Sequence, residues 1–113
     1  MITDLESIAD WTTARSASKQ QPIFVYKHSA TCPTSAWAQR NVLNSECNGV
    51  PVYRVTVQKA RDVSNQIATD LNVRHETPQI IVVYDGAAVG HCNHGRVTPE
   101  EIETLTQDLH SPS

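Results

Sequence analysis

Pro22-Ile23-Phe24-Val25-Tyr26-Lys27-His28-Ser29-Ala30-Thr31-Cys32-Pro33-Thr34-Ser35 holds a strand, a short connection and the first turn of a helix. Ile23 to Tyr26 is an apolar run entered from a proline, which predicts a buried strand. Pro33 suits the first position of a helix, where its missing N–H would have had no partner anyway. Trp37, Ala38, Val42 and Leu43 then recur at helical spacing to about Cys47, and Asn48-Gly49 supplies a stop. Cys32 therefore stands between a strand end and a helix start.

The rest of the chain extends the same alternation. Leu5, Ile8, Ala9 and Trp11 predict an opening helix over Asp4 to Ser16, and Val50 to Val57 predicts a second strand. Val63, Ile67 and Leu71 are four apart, on one face of a further helix. Ile80 to Tyr84 and Ala87 to Cys92 flank Asp85-Gly86, a hairpin signal because that turn needs positive φ. Thr98 can cap a last helix, with Pro99 at its first position, Glu101 completing a capping box, and Ile102, Leu105 and Leu109 as its apolar face. The order α-β-α-β-α-β-β-α opens with a βαβ unit, hence two parallel strands and a right-handed crossover. A hairpin and a helix follow. Four strands in a mixed sheet flanked by helices predict an α/β, thioredoxin-like fold, with residues 1–113 as a single domain.

Composition narrows the function. The chain has 113 residues, a 39% hydrophobic fraction and a net charge of −3, with its basic residues scattered. Nucleic acid is not expected as a partner, since phosphate binding needs clustered Lys and Arg. Met1 to Asp10 carry three acids and no base, and no long apolar run occurs. The expectation is a cytoplasmic protein without a signal peptide or membrane contact. The three cysteines, Cys32, Cys47 and Cys92, are odd in number and widely spaced. Neither a disulfide framework nor a zinc site is expected.

Reactivity is expected at Cys32. Unpaired N–H groups and partial positive charge at a helix start stabilise a thiolate, the form that attacks disulfides. Lys27 and His28 could add positive charge nearby. The competing reading of Cys32 is a small buried hydrophobe. Ser35 occupies the place where a two-cysteine oxidoreductase keeps its resolving thiol, so a mixed disulfide on Cys32 must be released by another thiol. Pro78, directly before the third strand, is expected beside Cys32. A cis Thr77–Pro78 bond, favoured here over an ordinary strand-entry proline, would expose the Thr77 backbone to substrate. Arg74 is close enough in sequence to help hold an anionic thiol, whereas Arg40 and Arg61 read as solvated charges. Trp37 reads as core.

The other cysteines divide. Cys47, ~20 Å along the helix from Cys32, reads as structural. Cys92 returns to the active-site side of the sheet. It is either a possible second thiol, through a disulfide or handover with Cys32, or an incidental thiol at a strand end. His28, His75, His91 and His94 fall on the same side and could tune the thiol's pKa; no metal is expected.

Two segments carry a resemblance. Tyr26-Lys27-His28-Ser29-Ala30-Thr31-Cys32-Pro33-Thr34-Ser35 and Val73-Arg74-His75-Glu76-Thr77-Pro78-Gln79 resemble the monothiol bacilliredoxin-like family of the bacillithiol system, the YtxJ type. His94-Gly95 stands where similar proteins often show a His-Trp pair. The resemblance implies a thioredoxin-like fold, Cys32 as attacking thiol and Pro78 as cis proline. It also implies S-thiolated proteins as substrates and bacillithiol, or glutathione, as thiol co-substrate. No tightly bound cofactor is expected, and the chain is expected to be a monomer or weak dimer. Two other readings share the fold: a non-catalytic redox-sensing or binding module of the stress response, and a glutaredoxin-like iron–sulfur carrier.

Overall fold

The computed structural model describes residues 2–44 and 49–110. Its elements are β1 (Ile2–Asp4), α1 (Ile8–Ala17), β2 (Ile23–His28), α2 (Pro33–Asn44), β3 (Val52–Thr56), α3 (Arg61–Leu71), β4 (Gln79–Tyr84), β5 (Ala87–Asn93), a 3-10 turn (His94–Arg96) and α4 (Pro99–His110). The sheet has five strands, not the expected four, in the order β1-β3-β2-β4-β5. β1 and β2 run parallel to β3, whereas β4 runs antiparallel to β2 and β5 antiparallel to β4.

The unexpected strand is three residues of which only Ile2 is even partly buried, so no periodicity announces it. Its register partner supplies what its own sequence lacks. Asp4 pairs with Arg54, and the guanidinium grips the carboxylate through Nε–Oδ1 at 2.6 Å and Nη2–Oδ2 at 3.0 Å. That contact is bidentate, the geometry in which an Arg–carboxylate pair is strongest.

β2 and β4 are buried on both sides and divide the core into two layers. Val25, Ile81 and Val83 face α1 and α3, meeting Trp11, Ala14, Val63, Ile67 and Leu71. Phe24, Tyr26, Ile80 and Val82 face α2 and α4, meeting Ala38, Val42 and Ile102. In α2 the buried stripe is Ser35, Ala38 and Val42. Trp37, expected in the core, is 37% exposed, and Leu43 is 54% exposed. Each lies one residue, about 100°, away from that stripe. Ile81 is fully buried in the central β4. Ile81→Ala is expected to lower unfolding free energy by about 2–5 kcal/mol, read by urea denaturation.

Connections fix the ends of these elements. Asp85 and Gly86 both have positive φ, 53° and 75°, as a two-residue hairpin requires. α1 holds that turn: Ser18 O accepts from Asp85 N–H, Ser18 Oγ from Gly86 N–H, and Arg15 Nε donates to Gly86 O. Thr98 Oγ1 accepts from Glu101 N–H at 3.2 Å, which caps α4. α2 runs to Asn44 among the described residues, and the expected stop at Asn48-Gly49, like Cys47, falls on or beside residues outside the described ones. No described helix is long and apolar enough to cross a membrane.

Candidate active site

After β2 the chain turns within Ser29–Cys32, where Cys32 N–H donates to Ser29 O at 3.4 Å. Pro33 opens α2, and Cys32 O accepts the first helical bond, from Ala36 N–H at 3.1 Å. Cys32 thus occupies the capping position. A cap side chain there normally accepts from the second or third helical N–H. The sulfur stands there instead, at the end of the helix where the first-turn N–H groups of Thr34 and Ser35 have no intrahelical partner. The backbone N–H of Ser35 foremost, then that of Thr34 and the two hydroxyls, hold the thiol below its ordinary pKa against a smaller opposing effect of burial. The thiol is partly exposed, so the small-hydrophobe reading fails.

The hydroxyl of Ser35 is fully buried and its oxygen also accepts from Ser29 N–H at 3.2 Å. Gln58, in the turn after β3, holds the loop before Cys32 from outside. Its Oε1 accepts from Ala30 N–H at 3.0 Å, and its Nε2 donates to Ser29 Oγ at 2.7 Å and Thr31 Oγ1 at 3.3 Å. Nothing in the sequence marks Gln58, because an exposed glutamine in a turn has no pattern.

Beneath the helix start lies Tyr26, also unmarked as anything but core. Its hydroxyl donates to Ser35 O at 2.8 Å and lies 2.9 Å from His28 Nδ1. The phenol has one proton and Ser35 O can only accept. His28 Nδ1 is therefore the donor to Tyr26, which leaves its Nε2 unprotonated when the ring is neutral. Burial, and then the Arg54 charge, hold His28 below its ordinary pKa, so at neutral pH the ring is uncharged. Burial also pushes the Tyr26 phenol upward. Tyr26→Phe keeps the packing but leaves His28 Nδ1 without its partner and removes the second hydrogen bond to Ser35 O. A loss of about 1–3 kcal/mol in unfolding free energy is expected from chemical denaturation.

The expectation that Lys27 and His28 add positive charge at the thiol is corrected. His28 is neutral, and Lys27 points to the other side of the sheet, since successive strand residues face opposite ways. Lys27 is fully buried, with Nζ 3.1 Å from both Ser64 O in α3 and His75 Nδ1. Burial pushes its pKa down to about 8. The ammonium can only donate, so His75 Nδ1 accepts; burial and the Lys27 charge lower the pKa of His75. Lys27 therefore ties the segment before Pro78 to α3.

The Thr77–Pro78 bond is cis. Gln79 pairs with Lys27, which sets Pro78 alongside the His28 end of β2. Gln79 is buried, and its Nε2 donates to Arg74 O and Asn93 Oδ1, both at 2.9 Å. Pro78 O accepts from His94 N–H at 2.7 Å. His94 Nε2 lies 2.7 Å from Glu76 Oε2, while Arg74, its side chain 91% exposed, lies 3.5 Å from Glu76. Arg74 thus reaches solvent beside Pro78 with its charge partly matched.

Cys92 does not join this site. It reaches the active-site side of the sheet as expected, but its side chain turns into the core against Ile80, Val97 and Ile102 and is 7% exposed. Burial, with the Glu101 charge, pushes its thiol up to about 11, so it is protonated at neutral pH. Cys32 and Cys92 are both free thiols. Among the described residues no group of three or more His, Cys, Asp or Glu could hold a metal ion.

Comparison with known proteins places this arrangement. A solved structure described as a candidate oxidoreductase with a thioredoxin fold is 31% identical, with a TM-score of 0.83, over 94% of this chain and 93% of that one. Thioredoxin O2 from Arabidopsis thaliana is 20% identical with a TM-score of 0.76, over 97% and 95% of the two chains. Fasciola hepatica thioredoxin is 17% identical with a TM-score of 0.75, over 95% and 98%. The fold is thioredoxin-like. The family model for the monothiol bacilliredoxin BrxC matches residues 3–102, so the chain belongs to the monothiol bacilliredoxin family of thioredoxin-fold thiol oxidoreductases.

Proposed function

We propose that this protein removes a low-molecular-weight thiol, bacillithiol, from S-thiolated proteins in the cytoplasm. One observation carries the reading: Cys32 caps a helix whose first turn carries Ser35, not a second sulfur, three residues on, and the N–H of Ser35 keeps its thiol below the ordinary pKa. The Cys32 thiolate attacks the small-thiol sulfur of a protein–S–S–R disulfide. The Cys32–S–S–R bond forms as the old S–S bond breaks, and the protein leaves as its thiolate. A second small thiolate, R′–S⁻, then attacks that sulfur, giving R–S–S–R′ and the free Cys32 thiolate. Electrons balance, since one disulfide, protein–S–S–R, is exchanged for another, R–S–S–R′, and the R′ thiolate consumed is matched by the protein thiolate released. The Thr77–Pro78 backbone and Arg74 line the side on which the substrate disulfide would lie.

The test is direct. A protein carrying one bacillithiol mixed disulfide is incubated with the oxidoreductase and free bacillithiol, and its mass is followed. Loss of the adduct at catalytic enzyme concentration is expected. Equal rates with glutathione and bacillithiol would remove the assignment to bacillithiol, and no acceleration with either would remove the enzymatic reading.

A further inference from the structure

A buried charge lies behind the segment that carries Pro78. Lys27 is fully buried, and its Nζ reaches Ser64 O and His75 Nδ1, each at 3.1 Å. Neither acceptor is a carboxylate. Ser64 is also buried, and its Oγ lies 3.1 Å from the same His75 nitrogen. An ammonium has only protons to offer, so Nδ1 faces it with a lone pair. Burial, and then the Lys27 charge, hold the pKa of His75 down, against the Glu76 charge. The ring is therefore neutral at pH 7, and its one proton is on Nε2. His75 itself is exposed. The edge of the ring that carries Nδ1 is spent on the interior, which leaves Nε2–H as the edge towards solvent.

We propose that His75 binds the small-thiol half of a mixed disulfide on Cys32, its Nε2–H donating to a carbonyl or carboxylate oxygen of that thiol, with Lys27 and Ser64 as the positioning residues that fix this tautomer. The backbone on either side is pinned. Arg74 O accepts from Gln79 Nε2 at 2.9 Å, and Pro78 O accepts from His94 N–H at 2.7 Å. Between those two points Glu76 is engaged by His94 and Arg74. His75 is thus a donor of fixed direction on a held segment, two residues before the cis bond. Fixing a donor in advance lowers the ordering cost of the contact it makes. The proposal rests on Cys32 keeping the small thiol, as in the proposed function.

The experiment needs no turnover. Protein with isotope-labelled histidine, and with Cys47→Ser so that Cys32 is the thiol that loads, is compared at pH 7 in three forms: free, disulfide-linked to bacillithiol, and disulfide-linked to 2-mercaptoethanol. Long-range proton–nitrogen spectra locate the proton on each ring. In the free protein His75 is expected to carry it on Nε2. Bacillithiol on Cys32 should move the Nε2 signal, and mercaptoethanol, which has no carbonyl or carboxylate, should not. In Lys27→Met, Nδ1 should gain a proton in part of the molecules, a change that a merely structural role for Lys27 would not produce. In the mixed-disulfide assay His75→Asn, which keeps an acceptor for Lys27 and has no group in the place of Nε2, should raise KM about tenfold with little change in kcat. A proton on Nδ1 in the free protein, an Nε2 signal that ignores both adducts or answers them equally, or an unchanged KM in His75→Asn would overturn the proposal. A wild type that turned nothing over, while its Nε2 signal still answered bacillithiol alone, would count against the proposed function and leave the contact standing.

Discussion

Replacing Cys32 by serine is expected to slow removal of the small thiol by at least about a thousandfold, because an alcohol at neutral pH supplies almost no anionic nucleophile. The geometry isolates this effect. Serine is a good helix cap, so its oxygen can accept from the first-turn N–H groups of Thr34 and Ser35, and the fold should be unchanged. The loss would then report chemistry alone. Cys92→Ala gives the matching control. Its thiol is buried and stays protonated, so adduct removal should proceed at near the wild-type rate. A Cys32→Ser protein that still turned over, or a Cys92→Ala protein that did not, would reverse the assignment of the two thiols. Adduct mass on the protein after a single turnover distinguishes attack from resolution: Cys32 should retain the small thiol when no second thiol is supplied.

The placement of Cys32 at a helix start was legible in the sequence because its cause is local. A strand end, a proline and the helix it opens are neighbours in the chain, and the stabilising N–H groups belong to the next residues, Thr34 and Ser35. The nearby charge was not legible. Lys27 sits two residues from the turn, yet strand alternation sends it to α3 and His75. Cys92 shows the same gap. Topology brings its strand end to the correct side of the sheet, but only the register with Ile80 shows which way its thiol faces. Trp37 was misplaced because the buried stripe of α2 includes a serine. Ser35 is in the core since its hydroxyl is matched by Ser29 N–H, a pairing no hydrophobic count can register. Gln58 and β1 depend on partners about thirty and fifty residues away in the chain, and neither carries a pattern of its own.

Stability is expected to rise by about 1 kcal/mol between pH 7 and pH 9, flatten near pH 9.5, and then fall. The rise belongs chiefly to Lys27. Its pKa is about 8 in the folded chain against an ordinary 10.5, because the ammonium is buried with only Ser64 O and His75 Nδ1 as partners. Above pH 8 the folded protein has released this proton while the unfolded chain still holds it. Unfolding then takes up a proton, and raising the pH opposes unfolding until about 10.5. The lowered pKa of Cys32 acts in the same direction up to its ordinary 9.0. Cys92 opposes both. Its folded pKa of about 11 lies above an ordinary 9.0, so from pH 9 the unfolded chain loses a proton that the folded one keeps. Tyr26, raised from 10.0, adds to the decline at higher pH. Urea denaturation in steps of half a pH unit separates the contributions. Lys27→Met should abolish most of the rise and leave the decline above pH 9. Cys92→Ala should let the rise continue towards pH 10. A wild-type profile flat from pH 7 to 9, or one unchanged in Lys27→Met, would mean that Lys27 is not held as a buried, strained cation. The tie between α3 and the segment carrying Pro78 would then be a neutral hydrogen bond at every pH at which the protein works.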